Sequence, residues 1–512
     1  MLKSESYRKG IIVSTLTNVL AKGIGFLNTL IIAFYFGANT GTDIYFYILS
    51  VATLITSTIN GVDYLVLIPE AMKIRERKSE QASQTFINFF IYSYICIGLV
   101  LAIIGNLIPI VFYTAFSKYD VQLLKSNTEL LYLGSFIIFF QLINNFLSAV
   151  LTSYKYFTAS IISGLINTIF SITFTLLLHN KIGLTGTLLG ITLGNCINFV
   201  ILLYVLKRFQ NWKFRNVKFM RDKTVWKNIG LMQINIFPVW MRNYFTIYFL
   251  TGMGVGVITS LNMAQMLASL PEIFILSQVT SIIGIKFSEL AAKKEMVETN
   301  ILLINILKTL FVIIIPIALI MMIANKEVIQ IVFERGSFQK NSIITTSFCF
   351  FYFALLLPTK IFDILFTRLF TSFQLYGIST LFAFIAHTII TIVLYVLTTH
   401  FHLQGFFVAL LIGYYIILPF TFLMITKYRL SKIDIRLIVV DISLLLITAI
   451  LVYLFANYLY SLLNLQIVIK LIILCLIVFA PFVIIANRLV SLKYQKDNFL
   501  IILNKLLNKK NI

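Results

Sequence analysis

Fourteen long apolar stretches run almost end to end through the 512-residue chain, leaving little room for anything but membrane-crossing helices. The hydrocarbon core of a bilayer takes about 20 apolar residues of helix to cross. In lipid, a helix satisfies its own backbone polar groups, which an isolated strand cannot do. The stretches fall at 10–36, 44–68, 85–113, 130–152, 157–178, 184–206, 228–250, 255–284, 302–323, 343–370, 376–397, 403–426, 437–459 and 465–487. Hydrophobic residues make up 59% of the chain and charged residues 12%, a balance that excludes a water-exposed domain of this length. The expected fold class is an all-α polytopic membrane protein of about 14 transmembrane helices.

Charge sets the expected orientation. A net charge of +22 would suggest nucleic acid if the basic residues formed one patch, but they gather in every second gap between the apolar stretches. With the N-terminus placed in the cytoplasm, the inner segments carry 30 of the 41 Lys and Arg and the outer loops carry 6. That asymmetry is the positive-inside rule, so both termini are expected to be cytoplasmic and no nucleic-acid partner is expected. The first stretch is too long for a cleaved signal peptide and carries Lys22, so it is read as a span. Cys96, Cys196, Cys349 and Cys475 all fall within spans and are read as small buried residues, not a disulfide framework.

The organisation along the chain reads as a repeat. Residues 1–206 form a six-helix lobe, 207–227 a basic cytoplasmic linker, and 228–426 a second six-helix lobe. Residues 437–487 supply helices 13 and 14, and 488–512 a basic cytoplasmic tail. The third span leaves through Ile110-Val111-Phe112-Tyr113-Thr114-Ala115-Phe116, and the ninth through Ile331-Val332-Phe333-Glu334-Arg335-Gly336-Ser337-Phe338. The exit of the first, Phe34-Tyr35-Phe36-Gly37, is echoed at Tyr248-Phe249-Leu250-Thr251-Gly252. Parallel repeats of this kind place a substrate site at their interface and allow rocking between two open states.

Ionisable groups inside the membrane cost about 2.5–3.5 kcal/mol each at a helix centre and so need a partner, water or a function. Lys22 sits beside Gly23 and Gly25 in span 1, and Arg242 follows Pro238 in span 7; both are expected to face a hydrated cavity. Lys360 and Asp363, spaced i, i+3, read either as an internal ion pair or as a coupling site. Lys308, Asp441 and Lys470 lie near span ends, where side chains snorkel to the interface. Asp63 and Glu272 also fall within spans, close to the cytoplasmic side. His400 and His402 lie in a short outer loop with no ligand cluster around them, so no metal is expected. A phosphate-cradling GxxxxGK[ST] run is absent from the sequence, which argues against ATP as a cofactor.

Val19-Leu20-Ala21-Lys22-Gly23-Ile24-Gly25-Phe26, then Ile32-Ala33-Phe34-Tyr35-Phe36-Gly37-Ala38, Thr42-Asp43 and Ile68-Pro69, resemble the opening of the MurJ/MviN lipid II flippases. Those belong to the superfamily of multidrug, oligosaccharidyl-lipid and polysaccharide exporters. Ser260-Leu261-Asn262-Met263-Ala264 with Leu267 and Pro271 is similar to the family's eighth helix, and Val332 to Phe338 to its outer loop after the ninth. The resemblance implies a cavity whose cationic side chains hold a diphosphate. Of those positions Lys22 keeps its charge, while others fall at Asn28, Thr56 and Met266; an acidic position falls at Gly61, and Asp43 is retained. Arg242 is a replacement charge suggested by this sequence alone.

The resemblance further implies a bacterial plasma-membrane flippase carrying a polyprenyl-diphosphate saccharide from inner to outer leaflet by alternating access. The substrate is lipid II or a related lipid-linked glycan. An O-antigen or capsular repeat unit is the alternative, and a drug/cation antiporter of the same superfamily a more distant one. A glycan polymerase or ligase would need a large catalytic outer loop, and the outer loops here are short. The implied partners are the lipid-linked saccharide and membrane lipids, the chain acting as a monomer. Coupling is open to membrane potential, H+ or Na+.

Overall fold

The computed structural model describes residues 7–218, 222–427, 435–463 and 465–489, and among these residues every regular element is a helix. The expected tail at 488–512 therefore lies outside the described residues from 490 onward. In chain order, α1 spans Tyr7–Phe36. Then α2 (Thr40–Val62) continues through a π-helical turn, Asp63–Leu67, into α3 (Ile68–Arg77). α4 (Glu80–Leu107) is followed by two short helices, α5 (Pro109–Thr114) and α6 (Val121–Lys125). α7 (Thr128–Ser153), α8 (Phe157–Ile182), α9 (Leu184–Gln210) and α10 (Lys223–Leu250) follow. α11 (Val257–Ala268) leads to a second π-helical turn, Glu272–Leu276, and to α12 (Ser277–Lys293). The remainder comprises α13 (Met296–Ile323), α14 (Asn325–Phe333), α15 (Lys340–Ser372), α16 (Tyr376–Lys427), α17 (Ile435–Leu462) and α18 (Ile467–Leu489).

Each of the fourteen apolar stretches is helical, yet only 11 segments among the described residues are long and apolar enough to cross a membrane. The difference has three sources. α10 is diluted by Gln233, Asn235, Arg242 and Asn243. α11 and α12 are short pieces on either side of Pro271 and the π turn. The stretches 376–397 and 403–426 form one segment, α16, folded back at His402, whose left-handed φ of 49° makes the turn. The two π turns open on Asp63 and Glu272, a little over two hundred residues apart, so spans 2 and 8 carry the same irregularity at corresponding places. Single π turns inside helices mark points of bending.

The chain divides into two compact units. One runs to Met263 and takes in Val332–Ile343 and His387–Phe406; the other holds Ala264–Ile331, Ile344–Ala386 and the chain from Phe407. In the first, α4, α7 and α9 surround a core of Phe86, Phe90, Phe146, Leu147 and Leu202. The basic linker begins inside this unit. Trp212 is buried and donates from Nε1 to Asn88 Oδ1 at 2.7 Å, while Asn88 Nδ2 donates to the carbonyls of Lys213 and Asn216.

Within the same unit α8 and α9 form a close pair because Gly186, Gly190 and Gly194 recur every four residues along one face of α9. Polar side chains add to the contact: Asn167 Nδ2 donates to Asn195 Oδ1 at 2.9 Å, and the Thr175 and Thr187 hydroxyls lie 2.9 Å apart. A β-carbon at Gly190 would run into the Phe170 carbonyl and the Phe174 side chain. Gly190→Val is therefore expected to destabilise the protein by about 1–3 kcal/mol, the range for overpacking. Thermal unfolding in detergent checks it, and an unchanged midpoint would show that the pair tolerates separation.

In the second unit α17 and α18 pack on α13. Lys308 of α13 pairs with Asp441 of α17, and Lys470 of α18 lies 3.6 Å from Glu327 of α14 and 4.0 Å from the Tyr460 ring centroid. The charges expected to snorkel are thus held by neighbouring helices. Of the cysteines, Cys349 is buried and Cys196 half-buried, but Cys96 and Cys475 are exposed, so the buried reading fails for those two. They lie on helix faces that also expose Leu99, Val100 and Ile472, the faces a bilayer would solvate.

Candidate functional site

Most of the described contacts at candidate residues lie in the first unit. At the end where α1 passes into α2, Asn39 begins α2 with a reciprocal cap. Its Oδ1 accepts from the Thr42 amide at 3.1 Å, and the Thr42 hydroxyl accepts from the Asn39 amide at 2.9 Å. That cap sets the register of the next residue. Asp43 is buried, and its carboxylate accepts from the Gly256 amide at 2.5 Å and from the Thr259 amide and hydroxyl at 2.8 and 2.7 Å. It therefore caps the first turn of α11, where unpaired amides and the helix dipole favour an anion. Asp43, expected at the substrate, bonds instead to the chain itself.

The same end carries a second closure. The Ser337 amide donates to the Phe34 carbonyl at 2.8 Å and its hydroxyl to the Tyr35 carbonyl at 3.0 Å. Gly37 and Gly336 make this possible: both have positive φ, 67° and 62°, and a β-carbon on either would overlap a carbonyl across the contact. The exit of span 1 thus meets the loop after span 9. Reciprocally, the exit of span 7 meets the loop after span 3, where the Lys118 amide donates to the Thr251 hydroxyl at 2.8 Å. Tyr119 sits in that loop with its hydroxyl unpartnered. Burial, and to a smaller degree the charge of Asp43, pushes its phenol above the usual range. Together these contacts form a clasp at one end of the unit.

The other expected residues lie elsewhere. Lys22 is exposed near the middle of α1, and a side-chain carbon at the adjacent Gly23 would meet nothing within 4 Å, so this stretch of helix faces open space. Asn28 is half-buried, its Oδ1 accepting from the Ser171 hydroxyl at 3.0 Å. Thr56 is buried and bonds back to Ala52 of its own helix, as a structural side chain does. Arg242 is half-buried, with Nη1 3.2 Å from His387 Nδ1 and Nη2 donating to Asn243 Oδ1 at 3.2 Å. Met266 is half-buried in the part of α11 that belongs to the second unit.

Lys360 and Asp363 do not form the expected ion pair. Asp363 is exposed, while the Lys360 ammonium lies 5.5 Å from the Tyr414 ring centroid, so a cation–π contact replaces the i, i+3 partner. Asp63, buried, accepts from the Tyr94 hydroxyl at 2.5 Å. Sequence reasoning missed His387, Thr259 and Ser337. An imidazole alone in the apolar run 380–399 was the available signal for His387.

The sequence signature of the family described as lipid II flippase MurJ matches residues 32–479. The chain belongs to the MurJ lipid II flippase family. A relative, the probable lipid II flippase MurJ of Borreliella burgdorferi, is 24% identical over 334 residues, an alignment that spans 64% of this chain and 65% of that protein's length. Among solved structures, a lipid II flippase MurJ in an inward closed conformation superposes with a TM-score of 0.72 at 18% identity, covering 95% of this chain and all of that one. A multidrug-resistance MATE transporter in an inward-facing conformation superposes with a TM-score of 0.59 at 14% identity, covering 81% of this chain and 94% of that one. These likenesses fix the fold as that of a MurJ-type multi-pass membrane transporter.

Proposed function

We propose that this protein moves lipid II, a polyprenyl-diphosphate saccharide, from the inner to the outer leaflet of a bacterial plasma membrane. The observation that carries the reading is the match of the MurJ family signature to residues 32–479. Loop charge supports both termini in the cytoplasm, which puts the clasp of residues 34–43, 256–259 and 335–338 at the outer face.

Depth then distinguishes the two cations. Lys22 lies 14 residues before the outer end of α1 and Arg242 8 residues before that of α10. At 1.5 Å per residue these are about 21 Å and about 12 Å below the outer ends. Lys22 meets the headgroup as a point charge deep in the membrane, and the planar guanidinium of Arg242 receives the diphosphate nearer the exit. Release of the clasp opens the way out. No covalent bond is broken, and the energy source is membrane potential, H+ or Na+.

Depleting the protein in its native cell should make the lipid-linked peptidoglycan precursor accumulate. Wild type should relieve this, whereas Lys22→Ala and Arg242→Ala, expressed at equal level, should restore less than a tenth of the flux. Accumulation of a surface-polysaccharide intermediate instead would move the substrate to that class. Full relief by Lys22→Ala would remove that residue from the mechanism.

A further inference from the structure

We propose that His387 is a positioning residue for Arg242, holding the guanidinium through its neutral imidazole and letting it go when the ring takes up a proton. This rests on the assignment of Arg242 to the diphosphate. The two side chains come from elements far apart in sequence: Arg242 from the second half of α10, four residues after Pro238, and His387 from the first half of α16. Tyr395, two turns further along α16, stacks edge-on against Phe245 and Phe249 of α10, so the contact lies within a packed helix pair and not at a loose end.

The chemistry of the contact fixes the protonation state. A guanidinium has five N–H donors and no acceptor, so at 3.2 Å from Arg242 Nη1 the His387 Nδ1 must supply a lone pair. The ring proton therefore sits on Nε2. Asn243 Oδ1 takes a second guanidinium N–H at 3.2 Å. Both of these acceptors are neutral, so each aims a guanidinium N–H without itself offsetting the charge. An imidazolium has no lone pair at Nδ1, and protonation would set two cations in contact. The bond would break, and the clamp would lose its orientation.

Few other groups can interfere. Between Thr380 and Thr399, α16 carries Tyr395 as its other ionisable side chain, and that ring is engaged with Phe245 and Phe249. On the facing half of α10 the ionisable groups are Arg242 itself, Tyr244, which donates to the Ala115 carbonyl, and Tyr248, against which Lys118 rests. Among the described residues, Arg242 is the charge whose field reaches the imidazole.

The test uses full-length protein in vesicles with lipid II as probe, measuring transport against substrate density and pH. Wild type should lose activity as pH falls. His387→Leu removes the acceptor and should raise KM about tenfold while changing kcat less than threefold. His387→Asn keeps an acceptor that does not titrate; it should stay within threefold of wild-type KM and lose the acid fall-off. His387→Leu with wild-type KM overturns the proposal, as does His387→Asn with an unchanged acid limb. His387→Asn as impaired as His387→Leu shows a purely structural role and also overturns it. Should His387→Leu fail to fold, the pH profile of His387→Asn decides alone. Arg242→Ala, run in parallel, separates the two ideas: a silent Arg242→Ala sinks the diphosphate assignment, whereas an impaired Arg242→Ala beside a silent His387→Leu sinks only this one.

Discussion

Asp43→Ala is expected to hold the protein open at its outer end and to abolish most transport without unfolding it. The carboxylate accepts three hydrogen bonds from the first turn of α11 and the residue before it. Hydrogen bonds to a charged group contribute about 1.5–3 kcal/mol each. Asp43→Ala removes all three, about 4.5 kcal/mol at the low end, which shifts a closed–open balance more than a thousandfold. A carrier that cannot close its outer end cannot reload from the inside. Thr259→Val removes one of the three bonds and should have the smaller effect, about tenfold. Labelling of a cysteine placed near the clasp with an impermeant reagent, alongside flux, checks both variants. Protection equal to wild type in Asp43→Ala would show that the clasp does not gate the outer face.

Asp441→Leu is expected to be the most destabilising single change in the second unit. It leaves the Lys308 ammonium, only 17% exposed, without its carboxylate partner between α13 and α17. Removing one member of a buried ion pair costs about 3–5 kcal/mol, whereas replacing both members with apolar residues is often neutral or stabilising. Lys308→Leu/Asp441→Leu should therefore recover most of the loss, and a double-mutant cycle on thermal or denaturant unfolding in detergent gives the coupling directly. Additive losses would mean that the pair contributes nothing as a pair. An intact ion pair here ties α17 to α13.

How much of this was legible in the sequence depends on the distance over which each signal acts. Apolar length is local, so the apolar stretches were legible as helices, though the number of membrane-crossing segments was not, and the fold-back at His402 fell in the gap left between two of them. Partners distant in sequence were not legible. Lys308 and Asp441 are 133 positions apart, Glu327 and Lys470 143, and a single helix read alone offers each only the option of reaching for the interface. Lys360 and Asp363 looked paired because spacing on one helix is visible and the competing Tyr414 ring on another is not. Asp43 stood out in the sequence as a candidate substrate residue, whereas the structure shows its carboxylate bonded to Gly256 and Thr259. Its task as a cap on α11 needed Gly256 and Thr259, which lie more than two hundred residues on. His387 went unread because an imidazole in an apolar run has meaning only once Arg242 is beside it.

The central claim is tested most directly in vesicles that hold only this protein and lipid II, using an impermeant reagent that modifies the exposed saccharide. With protein present, the modified fraction should rise over time from the outer-leaflet share toward completion, without ATP, and Lys22→Ala should slow that rise at least tenfold. A modified fraction that stays at the outer-leaflet share, with folded protein correctly inserted under an imposed membrane potential and H+ or Na+ gradient, would contradict it.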